Sequence, residues 1–169
     1  ALWGASAAPA AAILQHGSGI TAAWRSDFGR EQLFDHLNVG QLFDIRTELL
    51  ALVARMLDGR EPRSALLPRV LEHLGTTPDD YPVRLYRHQL DDIQLRTTPP
   101  LIYEAWQAGD PAATRLVHAA VADYARLAIT LAHRTESARP EIVFGGGVIN
   151  VAPPTFLDAL RAAVRHEVP

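Results

Sequence analysis

The stretch with the clearest potential for chemistry is a run of three glycines, Gly145, Gly146 and Gly147. It follows an apolar segment of strand length, residues 141–144, which predicts a short buried strand. Glycine has no Cβ, so backbone at this point can approach a flat or bulky ligand closely. Ligands of open α/β sheets bind just beyond the carboxyl ends of strands, so a nucleotide or its phosphates is a reasonable occupant. A tight strand-to-helix turn explains the same residues equally well.

A second glycine bend, Gly17-Ser18-Gly19, follows an apolar run at residues 11–15. Its backbone N–H groups could surround a β- or γ-phosphate, and the Ser18 hydroxyl could add a donor. An ordinary hairpin turn favours the same residue types, and the residues alone favour that turn. For His16, just before the bend, contact with a phosphate is one interpretation, and we prefer a hydrogen-bonded histidine at a strand end.

Other polar residues suggest local structure more than chemistry. Asp44 and Glu48 lie one helical turn apart, as in a metal pair, but an acid near a helix start is favoured by the helix dipole, and we predict a cap. Tyr103 and Trp106 are typical of core packing. The residues offer no candidate metal site, and no His/Asp/Ser set indicates a hydrolase triad.

Composition excludes several classes of function. The 169-residue chain contains no cysteine, which rules out iron–sulfur clusters, disulfides and thiol nucleophiles and favours a cytoplasmic location. Its arginines are scattered among acids and its formal net charge is −3, so we expect no nucleic-acid partner. No apolar run reaches the roughly 20 residues of a membrane span, so we expect no membrane partner.

The periodicity predicts an α/β chain in which three strands are followed by several helices, one long helix, a strand and a last helix. Strands are predicted at residues 11–15, 20–24, 31–37 and 141–144. Helices are predicted at residues 41–57, 64–74, 79–88, 101–108, 111–136 and 156–165. The long helix should begin after Asp110-Pro111, because Asp accepts amide hydrogen bonds and Pro suits the first helical position.

Five segments in this order resemble one family, the BadF/BadG/BcrA/BcrD-type ATPases, and within it the N-acetylglucosamine kinase-like proteins. They are residues 13–21, 43–59, 85–87, 108–113 and 143–147. The first resembles the family's second phosphate loop, the fourth the Gly-Asp-Pro opening of its long helix, and the last its adenosine-side glycine turn.

The resemblance implies an actin-like ATPase (ribonuclease H-like) domain, a β-meander plus helices with a helical insertion. Residues 1–169 would then be a single domain, the carboxy-terminal half of a sugar kinase. The family's first phosphate loop and catalytic aspartate would lie before Ala1. No catalytic residue is therefore assigned, and the fragment alone is expected to be inactive.

The same resemblance implies a binding site for ATP and Mg²⁺. Its phosphate-binding residues would be Gly17, Ser18 and Gly19. Its adenosine-binding residues would be Gly145, Gly146, Gly147 and Trp106.

The family's sugar-binding loop falls near residues 37–42, which makes Asn38 and Gly40 the candidate substrate-binding residues. Asn38 stands where the family has a carboxylate, and an amide keeps hydrogen-bonding capacity without charge. The phosphate loop also departs from the family pattern, with Ser18 for Thr and Ile20 for Ser.

Two functions follow. The first is the ATP-binding domain of an N-acetylglucosamine kinase-like protein, which when complete phosphorylates a sugar or amino sugar. The second is a nucleotide-sensing or structural domain that has lost catalysis, which the altered sugar loop favours. Alanine-rich helices and an exposed cleft face also lead us to expect a homodimer.

Overall fold

The computed structural model describes residues 4, 6–17, 19–34 and 43–168. They fall into two compact units. The first unit contains Ala1–Phe43 and Val121–Pro169, and the second contains Asp44–Ala120. The expectation that residues 1–169 form one domain stays a prediction.

The strands and helices follow one another largely in the order that the periodicity predicts. The described elements, in chain order, are β1 (Ala11–His16), β2 (Ile20–Arg25), β3 (Glu31–Phe34), α1 (Ile45–Leu57), α2 (Leu66–His73), α3 (Tyr81–Tyr86), α4 (Asp92–Arg96), α5 (Pro99–Gln107), α6 (Pro111–Arg134), β4 (Glu141–Gly145), α7 (Gly147–Asn150) and α8 (Pro154–Arg165). The mixed α/β class is therefore confirmed. Two short helices, α4 and α7, were not predicted.

The first unit is built on a four-stranded sheet with the order β3-β2-β1-β4. β2 runs antiparallel to both β1 and β3, as the predicted meander requires. β4 lies parallel to β1 on its other side. The meander and the last strand, far apart in sequence, thus share one sheet.

β1 is buried on both faces, which explains its continuous apolar run. On one face, Ala12, Ala22 and Trp24 pack against Leu131 of α6. On the other face, Ala11, Ile13 and Ala23 form a cluster that Val143 of β4 joins. The sheet centre is therefore fixed by small and branched apolar side chains.

The second unit is helical, and its core includes one face of α1, formed by Ile45, Leu49, Leu52, Val53 and Met56. Asp44 caps α1, accepting a hydrogen bond from Arg46 N–H at 3.0 Å, which confirms the predicted cap. The helix begins only after this cap, at Ile45 rather than at residue 41.

Asp110 joins the starts of two helices in this unit. Its Oδ1 accepts hydrogen bonds from Ala112 and Ala113 N–H of α6, at 2.8 and 3.1 Å. Its Oδ2 accepts one from Leu66 N–H, the first residue of α2, at 3.1 Å. The predicted cap of the long helix is confirmed, and the contact with α2 adds a link that periodicity alone does not reveal.

Among the described helices, none combines the length and apolar character that crossing a membrane requires.

Candidate functional site

The two glycine bends of the sequence lie at the same edge of the sheet. β1 and β4 are adjacent and parallel, and Gln15 of β1 is the register partner of Gly145 of β4. Both strands therefore end at one level, with Gly17 just beyond β1 and Gly146 just beyond β4. This is the edge at which open α/β sheets bind ligands.

The bends touch each other through backbone. Gly146 has φ +93°, a conformation that side-chain-bearing residues rarely adopt. A Cβ at Gly146 would lie 2.5 Å from the His16 carbonyl carbon and oxygen and 2.7 Å from its nitrogen. Because backbone cannot move aside as a flexible side chain can, only glycine fits at this position.

The remaining glycines leave the surface of the bends bare. A Cβ on Gly17 would lie 3.9 Å from the Gly147 nitrogen, an ordinary contact. Among the described residues, no atom would lie within 4 Å of a Cβ on Gly19 or Gly147. The Gly17 N–H donates a hydrogen bond to the Gly19 carbonyl at 2.9 Å, so in this structure that amide is already engaged. Ser18 lies outside the described residues.

Buried anchors hold the second bend in place. Helix α7 starts at Gly147, and its Val148 and Ile149 are buried. Asn150 N–H donates to the Gly146 carbonyl at 2.8 Å. The second bend is therefore held by two buried side chains and one backbone hydrogen bond.

His16 is fully buried, and its Nδ1 forms a hydrogen bond with the hydroxyl of Tyr124 on α6. The prediction of a hydrogen-bonded strand-end histidine is therefore confirmed. This contact does not favour the alternative, in which the side chain approaches a phosphate, because the ring is fully buried against α6.

Two residues near the bends carried no signal in the sequence. Tyr124 reaches His16 from 108 positions away, so no local motif could reveal the pair. Gln15 lies beside Gly145: its Cγ and Nε2 would be 3.8 and 3.9 Å from a Cβ there. Among the described residues, the side-chain amide of Gln15 is thus a polar group that lies against the glycine run.

The other predicted site residues are not brought to the bends by any described contact. Trp106 lies half-buried on α5 in the second unit, whereas both bends belong to the first. Its role in adenosine binding stays a prediction. Asn38 and Gly40 of the predicted sugar loop lie outside the described residues.

No group of three His, Asp or Glu side chains suited to a metal ion occurs among the residues described.

No protein-family model matches the chain, and no curated protein matches it. The mixed α/β fold, in contrast, is shared with a solved structure. That structure is described as a putative N-acetylglucosamine kinase from Chromobacterium violaceum.

The two superpose with a TM-score of 0.60 at 17% sequence identity, over 92% of this chain and 59% of the other. At this identity the likeness shows the fold alone. This chain thus spans about three fifths of the length of the protein it resembles. Membership of the BadF-type family and an actin-like ATPase fold stay predictions.

Proposed function

We propose that this chain is the ATP-binding domain of a sugar-kinase-like protein that, when complete, phosphorylates a sugar or amino sugar in the cytoplasm. The observation that carries the proposal is the backbone contact between Gly146 and His16, which puts two bare bends side by side at the carboxyl edge of parallel strands. The likeness to the Chromobacterium violaceum protein supports the same class of function.

The residues at the bends fit a nucleotide. Gly17 and Gly19 would face the phosphates, and Gly145, Gly146 and Gly147 would lie along the adenosine side. A turn that only reverses the chain does not require contact with a second backbone segment. A flat ligand that lies between two backbone segments, in contrast, requires that neither segment carries a side chain toward it. Gly19 and Gly147 supply that surface among the described residues.

ATP with Mg²⁺ would supply the transferable phosphoryl group and neutralise its charge. The contribution of this chain is to bind and orient. Backbone amides at the first bend would contact phosphate oxygens. Both bends are held by the paired ends of β1 and β4, and Val148 and Ile149 anchor the second bend further. We assign no base to this chain.

The test is calorimetric titration of the full-length protein with Mg-ATP, with and without N-acetylglucosamine. We expect heat of binding for ATP and a change in that heat or affinity when the sugar is present. Absence of ATP binding would refute the proposal.

A variant sharpens the test. Gly147→Ala adds a methyl group where the described atoms leave space and where φ is not positive, so the free protein should tolerate it. If a nucleotide occupies that space, ATP should bind about tenfold or more weakly, the loss expected for a steric conflict of about 1.4 kcal/mol. Val151→Ala, which trims an exposed side chain just past α7, should bind ATP like the parent protein.

The second candidate is a nucleotide-sensing domain without catalysis, favoured by Asn38 in place of a carboxylate. In that case ATP binds with the same dependence on Gly147, and N-acetylglucosamine changes nothing.

A further inference from the structure

His16 connects the two bends to the interior of the first unit. It is the last residue of β1, so the first bend begins at the next residue. Its backbone is the surface against which Gly146 of the second bend lies. Its side chain is fully buried and contacts Tyr124 of α6. Any rotation of His16 would therefore alter both bends together.

Tyr124 is the partner that fixes His16. The Tyr124 hydroxyl forms a hydrogen bond with His16 Nδ1, and the two rings meet edge-on, with centroids 5.6 Å apart and planes at 79°. The Tyr124 ring in turn meets Phe156 of α8 edge-on, with centroids 6.4 Å apart. All three side chains are fully buried.

This arrangement does more than fill space. A leucine or phenylalanine could also pack between β1 and α6, but no directional bond would then set its side-chain rotamer. A directional hydrogen bond from a buried tyrosine sets the angle of the imidazole, and a locked side chain restricts the backbone that carries it. Here that backbone is the contact surface for Gly146.

We propose that Tyr124 is a positioning residue for nucleotide binding: through His16, it holds the two glycine bends at their mutual distance. The inference rests on the proposed function for its effect on ATP, while its effect on the bends can be measured without any nucleotide.

The experiment compares Tyr124→Phe with Tyr81→Phe in the full-length protein. Tyr81 is an equally buried tyrosine of the second unit, whose hydroxyl donates to the Leu50 carbonyl at 2.8 Å. Each variant loses one buried hydroxyl and keeps the ring, so similar losses of stability are expected. Only Tyr124→Phe should weaken ATP binding, by about three- to tenfold, the range that one hydrogen bond supports. Equal ATP affinity in the two variants would overturn the proposal.

A double-mutant cycle with His16→Leu tests whether Tyr124 acts through His16. If the two residues act through one hydrogen bond, the double variant should lose no more ATP affinity than the weaker-binding single variant. Losses that add would show that the two residues act independently, and that result would contradict a positioning role through His16.

Amide hydrogen exchange separates this inference from the proposed function. Tyr124→Phe should speed exchange at Gly17 and at residues 146–147, and Tyr81→Phe should leave these amides unchanged. If wild-type protein binds no ATP, the proposed function fails, and the exchange rates still decide whether Tyr124 positions the bends. Unchanged exchange at both bends in Tyr124→Phe would overturn the inference.

Discussion

At the level of single residues, Gly146 determines how closely the two bends can approach. Its positive φ and the adjacent His16 backbone act together: the first disfavours a side chain, and the second leaves no volume for one. Glycine at this position is thus required by the free protein as well as by the proposed ligand.

We expect Gly146→Ala to lower the free energy of unfolding by about 3 kcal/mol, since an unfavourable backbone conformation and a steric conflict combine. Gly29→Ala is the matched control, because Gly29 has a similar φ of +76° but no described atom within 4 Å of its added Cβ. That control should lose only about 1 kcal/mol, the cost of the backbone conformation alone.

Urea denaturation of the three proteins measures the difference. Equal losses in the two variants would show that the contact between the Gly146 position and the His16 backbone imposes no extra cost.

At the level of helices and strands, Asp110 is a carboxylate shared by two helix starts. Burial would raise the pKa of Asp110, but hydrogen bonds from Ala113 N–H, the Ser64 hydroxyl, Leu66 N–H and Ala112 N–H outweigh it, and the pKa is lowered. A depressed folded-state pKa means that ionised Asp110 stabilises the fold above its unfolded-state pKa of about 3.9. That stabilisation is lost as the pH falls from there through the lower folded-state pKa.

We therefore expect Asp110→Asn to lower the free energy of unfolding by about 1–3 kcal/mol at pH 7, because asparagine has one acceptor oxygen for donors that now use two. The gap between parent and variant should narrow as the pH falls below about 4, because Asp110 takes up a proton in the unfolded state before it does so in the folded state. Urea titrations of both proteins at pH 7 and pH 3 measure this difference in the free energy of unfolding. A gap that does not change with pH would contradict a role for the ionised carboxylate.

Most elements could be predicted from local patterns. The three- and four-residue spacing of Leu49, Leu52 and Met56 predicts α1, and Asp110-Pro111 predicts the start of α6. Helix α7 was missed because a four-residue helix starting at glycine has neither apolar periodicity nor favourable propensity, and it forms because Val148 and Ile149 are buried.

The assembly of the candidate site was less predictable. Each bend could be recognised, but their contact depends on β4 pairing in parallel with β1 about 130 residues earlier, a choice that local sequence does not encode. The same holds for His16 and Tyr124: the sequence indicates a bonded histidine without naming its partner. The fold class could thus be predicted from the sequence, whereas the side-by-side placement of the bends could only be proposed as a hypothesis.

At the level of the whole molecule, the expected homodimer stays a prediction. In the first unit, Phe28 is 79% exposed and Leu33 is 65% exposed, both in the β2–β3 hairpin. Exposed apolar side chains of this size on one hairpin could belong to a contact surface. We therefore expect the hairpin to contribute to self-association.

Light scattering coupled to size exclusion should give a dimer mass for the full-length protein. Replacing Phe28 and Leu33 by serine should shift the mass toward the monomer. Replacing Val83 and Tyr86, a pair of exposed residues in the second unit, by serine should leave the mass unchanged. A monomer mass for the parent protein would contradict the prediction.

The hydrogen bond inside the first bend affects how tightly a phosphate can bind there. While Gly17 N–H is held by the Gly19 carbonyl, that donor is closed to a ligand. If a phosphate uses it, the bend must first release it, and the apparent affinity equals the intrinsic affinity multiplied by the fraction of molecules in the released state. The fraction of sites that hold a nucleotide would then depend on how often the hydrogen bond between Gly17 N–H and the Gly19 carbonyl breaks.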